Sequence, residues 1–222
     1  MGGMIEIRME DGFSLQAYKS SPSDLAKGVV VVIQEIFGVN GHIREVADGY
    51  AQQGYLAIAP AIFDRIDRNI ELGYTEADMG RGIELAFQRL DMSQTMKDLQ
   101  SVIDFAAEHG RVGIVGYCFG GLLTFLTAAN LSGVSAASSY YGGGIAGALA
   151  NPPSCPLIMH FGELDAHIPM TDVDKIRQAN PDTPVFVYTA DHGFNCDHRD
   201  SFNADAANLA LSRTLSHFAE HL

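Results

Sequence analysis

The stretch Gly116-Tyr117-Cys118-Phe119-Gly120-Gly121 combines residue types and spacing suited to covalent chemistry. It follows the apolar run Val112 to Val115 and precedes an apolar segment, Phe119 to Ala129, that reads as a buried helix. A nucleophile on so tight a strand-to-helix turn needs glycine two positions to either side, because side chains there would collide. Its own side chain then projects beyond the sheet at a helix N-terminus, where partial positive charge favours a thiolate. The sequence thus predicts Cys118 as a nucleophile. A buried free cysteine packed as a small hydrophobe is the plainer alternative, and Cys155, between Ser154 and Pro156, is read that way.

A thiol nucleophile requires a base and a group to orient that base. Asp165, in Gly162-Glu163-Leu164-Asp165, follows the apolar run Pro156 to Phe161. His192, in Asp191-His192-Gly193-Phe194, follows Pro184 to Tyr188. Both stand after predicted strands, in the chain order nucleophile, acid, histidine. Imidazole takes the thiol proton and the carboxylate fixes its tautomer. Glu163, too close to its strand, is the alternate acid; His167 and His198 are the alternate bases. His42, His109, His217 and His221 fall in helical segments and His160 inside a strand, so these are read as structural. An oxyanion would be met by the backbone N–H of Phe119 and by one from the loop after the strand Val29 to Ile33, at Ile36.

These positions need a scaffold, and the chain supplies alternating strands and helices. Ile5 to Met9 and Phe13 to Tyr18 flank a Glu10-Asp11-Gly12 turn. Val29–Ile33, Tyr55–Ala59, Val112–Val115, Ser135–Tyr140, Pro156–Phe161 and Pro184–Tyr188 read as further strands. Helices are predicted over 42–52, 76–89, from about Ser93, over 119–129 and 170–179, and from about Asn203 to His221, with an irregular polar stretch at 61–75. This alternation predicts an α/β fold of the α/β-hydrolase type, a mostly parallel sheet with helices on both faces, in one domain spanning 1–222. Ligands of such sheets bind beyond the carboxyl ends of the strands, where the three residues stand.

Composition narrows the function classes. Against 14 Lys plus Arg stand 27 Asp plus Glu, a net charge of -13, which disfavours nucleic acid and anionic membrane surfaces. No apolar run is long enough for a membrane span, and the N-terminus lacks the blocks of a signal peptide, so a cytoplasmic protein is expected. Three cysteines without a C-x-x-C argue against a disulfide framework or structural zinc. No cofactor and no metal are expected, and the partner expected is a small molecule bound by a monomer or small homo-oligomer.

Taken together, the residues resemble the dienelactone hydrolase (carboxymethylenebutenolidase) family over nearly the whole chain. The motifs are Gln34-Glu35-Ile36-Phe37-Gly38-Val39-Asn40, Val115-Gly116-Tyr117-Cys118-Phe119-Gly120-Gly121, Gly162-Glu163-Leu164-Asp165 and His192-Gly193-Phe194. The resemblance implies that this small molecule is a lactone or ester, with hydrolysis of an enol-lactone through an acyl-thioester. It also implies that Glu35 pairs with the resting thiol until substrate displaces it. The family's substrate-carboxylate arginine, four residues after the histidine, is replaced here by Cys196. A second family arginine aligns with Gly80, beside Arg81. These departures point to neutral or larger substrates unless Arg81 or Arg199 takes over. The competing functions are a non-catalytic ligand-binding protein, a thiol redox protein pairing Cys118 with Cys196, and a metal site at Cys196-x-His198, for which the sequence offers no matching ligands.

Overall fold

A computed structural model describes residues 2–222. All eight strands join one sheet in the order β1-β2-β4-β3-β5-β6-β7-β8. They are β1 (Gly3–Arg8), β2 (Ser14–Ser20), β3 (Val29–Ile33), β4 (Leu56–Pro60), β5 (Val112–Tyr117), β6 (Val134–Tyr140), β7 (Leu157–Gly162) and β8 (Val185–Tyr188). The pairs β1·β2 and β2·β4 are antiparallel and the rest parallel. This is the mixed, mostly parallel sheet of the α/β-hydrolase fold. β3, β4 and β5 are buried at every position, as strands covered on both faces must be.

The covering helices are α1 (Gly41–Gln52), α2 (Glu76–Glu84), α3 (Met92–Ala107), α4 (Phe119–Asn130), α5 (Met170–Ala179) and α6 (Ala204–His221). Their placement can be read along β5, whose side chains alternate between faces. A Cβ at Gly113 would meet Phe218 of α6, whereas one at Gly116 would meet Gly120 and Thr124 of α4. The two glycines are three positions apart and so face opposite layers. α1 shares the α6 face, with the Tyr50 and Phe218 rings 6.2 Å apart. Among the described residues, no helix is long and apolar enough to cross a membrane.

The predicted helix 76–89 forms in two parts. α2 starts at a Thr75–Asp78 capping box and runs directly into a π-helical turn, Leu85–Arg89, closed by the Leu90 N–H donating to the Leu85 carbonyl at 3.0 Å. Hydrophobic periodicity does not separate these two helix types. The stretch 61–75 is irregular, as expected, but not peripheral. Ile62, Phe63 and Asp64 are buried, and Gly38 bridges Glu71 so closely that a Cβ at Gly38 would lie 1.8 Å from the Ile70 carbonyl oxygen. This contact pins the loop after β3 from above.

Candidate active site

Cys118 caps α4 at φ 56°, ψ −116°, a backbone region that L residues rarely occupy, costing on the order of 1–3 kcal/mol. Three bonds hold it there. Its N–H donates to the Tyr140 carbonyl at 3.0 Å, and its carbonyl accepts from the N–H groups of Gly121 at 2.9 Å and Leu122 at 3.3 Å. The flanking glycines are sterically required. A Cβ on Gly116 would sit 2.0 Å from the Gly120 carbonyl oxygen, and one on Gly120 would sit 2.5 Å from those of Ile33 and Gln34. Gly120→Ala is therefore expected to destabilise the fold by about 1–3 kcal/mol, because only rigid backbone could yield. A urea unfolding midpoint equal to that of the parent chain would show that the elbow relaxes freely.

Asp165 and His192, brought together from the ends of β7 and β8, are directly bonded. His192 Nδ1 donates to Asp165 Oδ2 at 2.7 Å, and Asp165 Oδ1 accepts the His167 N–H at 2.8 Å. Burial alone would raise the Asp165 carboxyl, but the bond and charge of His192 hold it below its ordinary value. Burial also opposes a charged His192, yet Asp165 on one side and Cys118 on the other raise its pKa to about 10. The alternates fall away on geometry. Glu163 is exposed, and His167 is exposed with its ring edge-on to His192 at 5.3 Å. His198 bonds Glu45 at 2.7 Å, and His160 is buried and bonded to Tyr188.

Cys118 and His192 open into a cavity of about 360 Å³. Ile36 and Phe119 line it too, and neither N–H takes part in a loop or cap backbone hydrogen bond among the described residues. α2 packs on this loop so closely that a Cβ at Gly82 would lie 2.6 Å from the Ile36 carbonyl oxygen. From α2 and the π turn, Met79, Ile83 and Phe87 face the cavity at intervals of four. Phe87 stands edge-on to Phe119 at 5.5 Å while remaining 62% exposed. Sequence reading did not find this apolar wall, although the spacing of the three residues signals it. Tyr141, also not anticipated, follows β6 at φ 36° with its ring 5.1 Å from that of His192.

Two expectations require correction. Arg81 does not line the cavity; it is tied to Asp67 and to Glu84. It lies two positions from both Met79 and Ile83, about 200° around an α-helix, and so points away from their face. Glu35 is buried at 1% exposure, but neither carboxylate oxygen hydrogen-bonds Cys118 or any other described group. The nearest cation is Arg199, its Nη1 3.8 Å from Glu35 Oε1. Arg199 does reach the cavity, because the loop after His192 folds back over it. The guanidinium lies 5.9 Å from the Phe37 ring and 5.8 Å from the Tyr74 ring.

Comparison with known proteins assigns this arrangement to a family. The sequence profile of the dienelactone hydrolase family matches residues 15–222. The chain is 34% identical over 225 residues to the carboxymethylenebutenolidase of Pseudomonas putida, covering 97% of this chain and 95% of that one. It is 40% identical over 214 residues to a Synechocystis sp. protein named as a candidate carboxymethylenebutenolidase, covering 87% of this chain and 86% of that one. The crystal structure of a candidate dienelactone hydrolase from Klebsiella pneumoniae superposes with a TM-score of 0.86 at 32% identity, covering 100% and 99% of the two chains. The chain belongs to the dienelactone hydrolase family and is a hydrolase acting on carboxylic ester bonds.

Proposed function

We propose that the chain hydrolyses lactones or esters through an acyl-thioester on Cys118, with His192 as proton carrier and Asp165 as its orienting acid. The observation that carries this reading is geometric: Cys118, on its strained turn at the N-terminus of α4, opens into the same cavity as His192, which is bonded to the buried Asp165 at 2.7 Å. In the reactive state the thiol proton passes to His192, leaving an imidazolium beside a thiolate. The thiolate attacks the acyl carbon, and the N–H groups of Phe119 and Ile36 receive the developing oxyanion. Collapse breaks the acyl C–O bond and the leaving oxygen takes the proton from His192. In a lactone that oxygen stays tethered to the acyl group. Water then attacks the thioester, giving its proton to His192, and the acid departs with the thiolate restored. The test is mass spectrometry of the enzyme quenched during turnover. An adduct of the acyl mass on the peptide holding Cys118 is expected, and its absence under burst conditions would count against the covalent route.

The cavity wall suggests the substrate class. Apart from Cys118, His192 and His167 beside the reacting centre, its lining is apolar with Arg199 as the one charged side chain, so it suits an apolar acyl body carrying at most one carboxylate. Arg199, from three residues beyond Cys196, fills the part that the resemblance gives to an arginine at that position. A guanidinium holds a carboxylate by paired charge-assisted bonds. Arg199→Gln is expected to lower kcat/KM for a carboxylated enol-lactone by about 10- to 100-fold, while a neutral aryl ester changes by less than about threefold. Equal losses on both substrates would mean that Arg199 supports the loop and not the ligand. The carboxylate of Glu35, 3.8 Å away, serves in this reading as the counter-charge that holds Arg199 in place between substrates.

A further inference from the structure

We propose that Glu35, His42 and Cys196 form a binding site for one divalent metal ion of the zinc class, directly behind the hydrolytic cavity. The three residues come from the loop after β3, from α1 and from the loop after β8, and their donor atoms all lie within 4.8 Å of one another. All three are buried. Neither Glu35 oxygen nor His42 Nε2 has a hydrogen-bond partner among the described residues, and His42 Nδ1 has only a 3.4 Å approach to the carboxylate of Asp197. Buried polar atoms are nearly always paired, and a buried carboxylate without a partner is especially costly. Three such atoms on two adjoining side chains, with a thiol beside them, make an unusual concentration.

The chemistry of the set favours a borderline cation. One carboxylate, one imidazole and one thiol match the mixed oxygen, nitrogen and sulfur ligation of zinc, and suit magnesium or calcium poorly. His42 is held neutral by burial, the form in which imidazole ligates. Burial pushes the Cys196 thiol up to about 11, and it donates to the Tyr74 hydroxyl at 3.2 Å. Coordination would break that bond and release the thiol proton to solvent, leaving a metal–thiolate bond. The donors must also close up, since Zn–ligand bonds run about 2.0–2.3 Å. A second set with donors within 4.8 Å, His42 with Asp197 and His198, adjoins the first and offers a further ligand from the same loop.

Arg199 is the competing partner for Glu35. At 3.8 Å it is too distant to hydrogen-bond, and it lies on the cavity wall, so an ion at Glu35 would displace it toward substrate. The ion would also join the residue before Ile36 to the loop carrying His192. Occupancy would thereby tie together the two sides of the hydrolytic site.

The experiment uses the full chain carrying Cys118→Ala, so that the cavity thiol cannot bind metal, after stripping with a chelator. Titration with cobalt(II) is expected to give one ion per chain and a thiolate-to-cobalt charge-transfer absorption. Zinc should displace the cobalt and abolish the band. Adding His42→Ala is expected to weaken zinc binding by at least ~100-fold, since losing even an outer-shell partner typically costs 10–100-fold. Adding Cys196→Ser should remove the charge-transfer band; circular dichroism would check that each variant is folded. Absence of the band from the Cys118→Ala chain would overturn the proposal. So would a band that survives Cys196→Ser, which would place the thiolate at Cys155, or zinc affinity unchanged in both added variants.

Discussion

Cys118→Ala should lower kcat for any lactone or ester substrate by about 10⁴-fold or more, leaving only the catalysis that binding and oxyanion donors provide. The size follows from what the residue does in the proposed mechanism. No other described thiol can take over, because Cys196 is wholly buried and Cys155 lies outside the cavity. The protein should nevertheless fold. Alanine at φ 56° has no greater steric difficulty than cysteine, and all three backbone bonds that hold the turn remain. A loss of stability of no more than about 1–2 kcal/mol is expected, since the change removes one partly buried thiol that packs on the core and adjoins His192. Cys118→Ser should also be strongly impaired. A hydroxyl is far less acidic than a thiol, and the proposed mechanism needs a nucleophile that gives up its proton to His192 readily. Hydrolysis by the alanine variant at near-parental kcat would exclude a Cys118 acyl-enzyme.

Residues that owe their position to the backbone are legible in the amino-acid sequence itself. Gly116 and Gly120 flank Cys118 because the turn forbids a Cβ at either place, and such a constraint appears in the sequence as a motif. Asp165 and His192 stand just after strands, so strand order alone locates them. The parts that are not legible depend on side chains meeting across loops. His42 reads as an unremarkable helical residue because its neighbours Glu35 and Cys196 come from other elements of the fold. The pair Cys196-x-His198 offers no metal site by itself; in the proposed site the other donors, Glu35 and His42, come from the loop after β3 and from α1. Arg81 and Arg199 are equal candidates in the sequence. The fold separates them, since Arg81 is satisfied by two carboxylates on the outer side of α2. Arg199 returns to the cavity only because the loop after β8 doubles back. The thiol-pairing role of Glu35 belongs to the resemblance; here its carboxylate makes no hydrogen bond to Cys118, and its nearest cation is Arg199 at 3.8 Å.

His192→Ala is expected to cost on the order of 10⁴-fold in kcat, and Asp165→Asn about 10²-fold. The order follows from the proposed mechanism, in which His192 moves the proton in both half-reactions whereas Asp165 orients it. Stability provides an independent readout. The folded pKa of His192, about 10, lies above its ordinary 6.5. The group therefore contributes stability that is fully present below about pH 6.5 and is lost as pH rises through 10. Asp165 acts in the opposite sense. Its carboxyl is held below its ordinary 3.8, so its contribution is present above that value and is lost as pH falls through the folded pKa. Asp165→Asn removes the carboxylate that supports the imidazolium, and should flatten the decline in stability between pH 6.5 and 10. His192→Ala leaves the Asp165 side chain, 0% exposed, with only the His167 N–H as partner. His192→Gln is the better control for folding, because its amide can still donate to that carboxylate. Urea midpoints measured from pH 5 to 10 should fall less steeply at high pH in both Asp165→Asn and His192→Gln than in the parent. Identical slopes in all three proteins would remove His192 as the group that titrates, and with it the support for an imidazolium beside Cys118.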